Sequence, residues 1–397
     1  MVTMSRRGQA RRLAARVAVE EAGHPTTTTP SQVRSQARLQ ILVESRAVWS
    51  AILGGIIGLA VGFIAFPGAE PALAGDASIQ FYSSIVGGVT AGIAFVLGYS
   101  LNTRMANLWL GQRPRIRQLL DTVALLVAHS SIAVMAALGL FRVFQEAFVG
   151  LTVDYIAGSI LLGIVGAGAA YFSFNSGARI NAFSLSTLLA IFMASGVLVS
   201  MLFAENPFWW HVMFSELGTG QAGLTSFWTF NTTLIVSGVI ITTLTAFITR
   251  DLEIWVNHLT ERHGRLRHFR RPRVLAVRVT MIGMGASLAG VGMVPVNVQN
   301  ELHTLVTASF GVFFLALLIG MPYWLPGFPK TFYLMCLLAA AALIFAGSLW
   351  RPIGYYNLTS LELIAAGILF SWLIVFIRHI AAMLAQVTAA SQEAETP

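Results

Sequence analysis

The chain of 397 residues is short of cysteine, lysine and charge, and each shortage excludes something. The lone cysteine, Cys336, rules out an internal disulfide and any cysteine-rich metal framework. Charged residues make up 11% of the sequence against 56% hydrophobic ones, well below the roughly 25% charged share of soluble domains. Mean hydropathy is +0.73, which indicates an integral membrane protein before any motif is read. No nucleotide-binding motif is present and no cofactor is expected. Nucleic acid is not an expected partner either, because the net charge of +8 falls in connections between apolar segments and not over a soluble face.

What is there is a series of apolar stretches. A spanning helix needs about 20 mostly apolar residues. On that criterion ten spans are expected, at roughly 47–66, 80–101, 118–140, 152–173, 183–203, 228–249, 274–294, 302–323, 331–349 and 359–381. The fold class is therefore an all-α bundle of about ten transmembrane helices. Arginine dominates the connections after the second span, at Arg104, Arg113, Arg115 and Arg117. It also dominates those after the sixth, at Arg250, Arg262, Arg265, Arg267, Arg270, Arg271 and Arg273. The alternate connections carry mainly acids. By the positive-inside rule the arginine side and both termini face the cytoplasm of a cell membrane. The arginine loops should attract anionic headgroups, and membrane lipids are the expected partners.

Residues 1–46 carry eight arginines against three glutamates and include the run Thr26–Ser31, which reads as a flexible basic tail. Ser5-Arg6-Arg7 looks like a twin-arginine signal, but no apolar region follows for some thirty residues, so no cleaved signal is expected. The chain divides into a first membrane half at 47–203, a connection at 204–230, a second half at 231–381 and a tail at 382–397. Gly54, Gly58 and Gly62 in the first span, and Gly88 and Gly92 in the second, have the spacing that lets helix backbones approach in lipid. At an offset of 146, Gly92 falls on Gly238, Thr103-Arg104 on Thr249-Arg250, and Trp109 on Trp255. This predicts a parallel four-helix internal repeat, spans two to five answering to spans six to nine.

Polar residues concentrate between Ala204 and Asn231, where Trp209 and Trp210 read as interfacial anchors. His211, Ser215, Glu216 and Asn231 lie there, and Glu301, His303 and Glu362 lie at later span starts on the same face. Ionisable groups at the edge of lipid are costly, which makes these seven the candidate ligand-binding residues. Each alone also reads as a solvated or helix-start group, as does Asp154. His211 and His303 with the carboxylates would suit a divalent metal, but no metal-binding spacing is present and none is expected. A hydrolase or transferase reading makes Ser215 the nucleophile with His211, Glu216 and His303 around it, although no Gly-x-Ser-x-Gly elbow surrounds Ser215. The deepest ionisable side chain, His129, lies about 17 Å into the third span and reads as held by hydrogen bonds to neighbouring helices.

From about Phe183 to His379 the chain resembles the bacterial six-span family of unknown function grouped with the FRAG/DRAM/Sfk membrane proteins. The resemblance rests on Phe214-Ser215-Glu216-Leu217-Gly218, on Phe230-Asn231, and on a turn with Gly292 and Pro295 leading to His303. It implies six spans and a link to lipid sensing or remodelling, and it leaves the first four spans unexplained. The expected function is binding or transport of a lipid-like or amphipathic small molecule through an outward-facing polar site. The alternatives are the membrane-embedded hydrolase or transferase, and a structural partner of another membrane complex.

Overall fold

The computed structural model describes residues 30–104, 107–263 and 272–393, and ten of its helices are long and apolar enough to cross a bilayer. They are α1 (Pro30–Ala65), α2 (Ile79–Gly98), α3 (Arg115–Ala147), α4 (Tyr155–Ala178) and α5 (Ala182–Leu202). Then follow α6 (Leu224–His263), α7 (Val274–Met293), α8 (Asn300–Trp324), α9 (Lys330–Trp350) and α10 (Leu358–Glu393). A π-helical turn over Tyr99–Thr103 extends α2. A single bridge pairs Ala72 with Thr152. All ten expected spans are present, with ends displaced by several residues.

Local chemistry sets several starts. Ser78 accepts from the Phe81 N–H at the head of α2, and Asn181 and Ser184 cap each other's backbone at the head of α5. Asp154 accepts from Ile156 and Ala157, so its carboxylate is a helix cap and not a site residue. The expected basic tail is partly helical: α1 begins at Pro30, while residues 1–29 lie outside the described residues. Likewise α10 runs to Glu393, well into the stretch expected as the second tail. Arg265, Arg267, Arg270 and Arg271 lie outside the described residues.

The helices form two groups. In the first, α4 packs along both α1 and α2, and α3 packs along α2. In the second, α6 is central, flanked by α5, α7 and α10, and α8 and α9 complete the circuit from α7 to α10. The most apolar window of α6 is 78% buried, against 22% for those of α8 and α9, which face outward. The groups meet where α3 packs on α5 and α6. The boundary thus falls between α4 and α5, not in the connection at 204–230, because loop polarity marks where the chain leaves lipid and not which helices pack together.

The expected four-helix repeat carries over into packing only at one contact, α2 on α3 answering to α6 on α7. Helix α2 packs along both α3 and α4, whereas α8 packs on α7 and not along α6. The aligned tryptophans also serve different contacts, Trp109 against Phe247 and Trp255 against Phe328. Apolar helices built from few residue types align without sharing neighbours. Between α8, α9 and α10 lie Phe314, Trp372, Phe376 and Phe332, all fully buried and each in ring contact with the next. Ten crossings bring both ends of the described chain to one face, here the terminal face, which also carries the arginine connections. The opposite face is the distal face.

Candidate functional site

On the distal face the chain between α5 and α6 folds into three short 3-10 turns, Trp209–His211, Phe214–Gly218 and Gly220–Ala222. Its base is closed by the Glu205 N–H donating to the Ala222 carbonyl at 3.0 Å. Gly223, at φ +85°, then turns the chain into α6, four residues before the expected span. Trp209 is buried against Phe214, whereas Trp210 is exposed.

Three helices grip the middle turn. The Phe214 N–H donates to Glu362 Oε2 of α10 at 2.8 Å. Ser215 Oγ lies 2.9 Å from His303 Nε2 of α8. From α6, Asn231 Nδ2 donates to the Gly218 carbonyl at 2.9 Å, and Ser226 Oγ donates to the Leu217 carbonyl at 3.0 Å. Gly218 is needed there, since an added Cβ would meet Asn231 Oδ1 at 2.8 Å. Ser215, Asn231 and His303 are all buried, and Glu362 is partly so.

The protonation pattern of His303 follows from its partners. Nδ1 lies 2.6 Å from the Val294 carbonyl, which can only accept, so Nδ1 carries the proton. In the neutral imidazole Nε2 is then an acceptor and the Ser215 hydroxyl donates to it. This is the relation between a nucleophilic serine and its base, with a backbone carbonyl in the orienting position where a carboxylate is more familiar. The same pattern recurs at His129, whose Nδ1 faces the Leu125 carbonyl at 2.7 Å and whose Nε2 faces Ser176 Oγ of α4 at 2.8 Å. That ring also stacks on Phe95 with centroids 4.3 Å apart. His129 is held by its own helix and by one neighbour.

The seven candidates therefore separate. Ser215, Asn231, His303 and Glu362 converge on the turn Phe214–Gly218. His211 does not: it is exposed and lies against Trp210, centroids 3.9 Å apart. Glu301 is exposed in the first turn of α8, where its charge favours the helix start. Glu216 is half-buried and gives its backbone N–H and carbonyl to the turn. Among the described residues no three His, Cys, Asp or Glu side chains gather so as to hold a metal ion.

Sequence reasoning missed a second polar centre, on the terminal face. Asp121 of α3 is buried, pairs with Arg113 at 2.5 Å and accepts from Thr243 Oγ1 of α6 at 2.8 Å. Arg117 lies 3.6 Å away, one turn before it. That four-residue spacing of opposite charges was the available signal. No protein-family model matches the chain, and neither a curated protein nor a solved structure matches it.

Proposed function

We propose that the protein binds the headgroup of a lipid-like or amphipathic molecule on its distal face, at the turn Phe214–Gly218. In this reading the terminal face is cytoplasmic, as the positive-inside rule favours for its arginines, and the site opens outward. One observation carries it: Glu362, His303 and Asn231, from three different helices, all direct polar groups at one turn beside lipid-facing helices. Polar groups are costly at that position unless they are held and used. The aromatic packing between α8, α9 and α10 favours binding at the outer end over passage between those three helices. The test is lipid identification by mass spectrometry on purified protein and on Glu362→Gln. The expected result is a copurifying amphiphile that is depleted in the variant, and equal lipid content in both would overturn the reading.

The Ser215–His303 hydrogen bond specifically favours a second reading, acyl transfer or hydrolysis with Ser215 as nucleophile and His303 as base. A fluorophosphonate probe should then label wild type, and neither Ser215→Ala nor His303→Ala. An unlabelled wild type under conditions that label a control serine hydrolase would eliminate this reading.

A further inference from the structure

Where α3 meets α6 on the terminal face, two guanidiniums, those of Arg113 and Arg117, face the single buried carboxylate of Asp121 among the described residues. Asp121 receives Arg113 at 2.5 Å and has Arg117 Nε at 3.6 Å. Arg117 also donates to the Thr242 carbonyl of α6 at 2.9 Å, while its Nε is buried without a hydrogen bond. From α6, Arg250 lies over the Trp109 ring at 4.8 Å, and Arg113 lies over the same ring at 5.9 Å. Asn107 Oδ1 accepts from Trp109 Nε1 at 2.9 Å and from Arg250 at 3.3 Å, which fixes the indole and the guanidinium together.

We propose that this junction is a binding site for a phosphate-bearing anion, held by Arg113, Arg117 and Arg250 with Trp109 as its floor. Guanidinium forks match phosphate oxygens in pairs, and an indole beside them is suited to the headgroup zone. Burial lowers the affinity of Arg113 for its proton, Asp121 opposes that, and Arg117 and Arg278 add like-charge repulsion. An arriving anion relieves that repulsion and satisfies the Arg117 Nε–H. Basic pockets between spanning helices on the cytoplasmic side bind acidic headgroups on the same grounds. This goes beyond diffuse attraction of arginine loops to a membrane surface, because three named side chains, from α3, from α6 and from the connection before α3, define one site. It does not depend on the distal turn.

The site is tested on the full chain in nanodiscs of pure phosphatidylcholine, in nanodiscs with added phosphatidylglycerol, and in phosphatidylcholine with inorganic phosphate. Native mass spectrometry reads retained phosphatidylglycerol, and the melting temperature reads both ligands. Wild type should retain phosphatidylglycerol and melt higher with it. Each of Arg117→Gln and Arg250→Gln should lower retention roughly fivefold, the worth of one basic residue near an anionic headgroup. Arg250→Lys, which keeps the charge but not the planar fork, should fall between Arg250→Gln and wild type, and Arg142→Gln, an exposed change on the distal face, should behave as wild type. Stabilisation by inorganic phosphate assigns the site to the free ion, and stabilisation by phosphatidylglycerol alone assigns it to lipid. Equal retention in wild type, Arg250→Gln and Arg250→Lys, with no stabilisation by either anion, would overturn the proposal. Arg250 decides if Arg117→Gln fails to fold.

Discussion

The pairing of His303 with Ser215 depends on each partner using the other. Removing the imidazole leaves the Ser215 hydroxyl and the Val294 carbonyl without a partner in a buried place, at a cost of about 1–3 kcal/mol. His303→Ala should lower the melting temperature in detergent, and Ser215→Ala should do so by less. The double variant should cost less than the sum of the two, because both changes remove one shared bond. Strict additivity would show that the two side chains do not interact. At this scale the sequence was half legible. Histidine, serine and carboxylate at span ends are visible as costly residue types, and Asn231, His303 and Glu362 did prove to converge. Their pairing was not visible, since Ser215 and His303 are 88 positions apart and two partners, the Val294 carbonyl and the Phe214 N–H, are backbone groups. That His211 stands apart was not visible for a related reason: an exposed imidazole beside an exposed tryptophan has the same one-letter signature as a buried one.

Helix contacts were legible as faces and not as partners. The four-residue glycine spacing of α1 marks a surface that another backbone can approach, and the structure supplies α4. A Cβ on Gly58 would run into the Leu162 carbonyl, and one on Gly62 would lie 2.5 Å from Ser159 Cα. Neither obstacle is the movable end of a side chain, so α1 must shift. Gly58→Leu should therefore destabilise the protein by about 1–3 kcal/mol or more and loosen α1 from α4. Gly139 in α3 has open space around it, and Gly139→Ala should be neutral or stabilising by up to about 1 kcal/mol through helix propensity. Thermal unfolding of both variants is the check, and equal effects would contradict the packing described. Reading the glycine pattern as small-residue packing was sound because backbone approach is a local requirement. Choosing the partner requires knowing which helices are neighbours, and apolar composition holds little of that.

At the scale of the whole molecule, ten crossings could be counted because bilayer thickness sets a length that hydropathy reveals directly. Grouping into four and six helices could not, since it depends on contacts between stretches of nearly equal hydropathy. Orientation is testable through the scarcity of cysteine. Cys336 is fully buried, with the Trp372 Nε1–H donating to its sulfur at 3.2 Å, so wild type should resist a membrane-impermeant maleimide. Tyr355, 77% exposed on the distal face, offers a reporter. Tyr355→Cys should be labelled on intact cells if the distal face is outside. Labelling only after lysis would reverse the orientation. One feature of the fold links its two faces. Helix α6, with 40 residues, is about 60 Å long, roughly twice the hydrocarbon thickness of a bilayer. Asn231 near one end grips the distal turn, and Arg250, some 29 Å further along the same rod, lies over Trp109 on the other face. An axial shift of that rod displaces both centres at once. If occupancy of one changes affinity at the other by some factor, thermodynamic linkage makes the reverse factor the same, so either ligand serves as an assay for its counterpart.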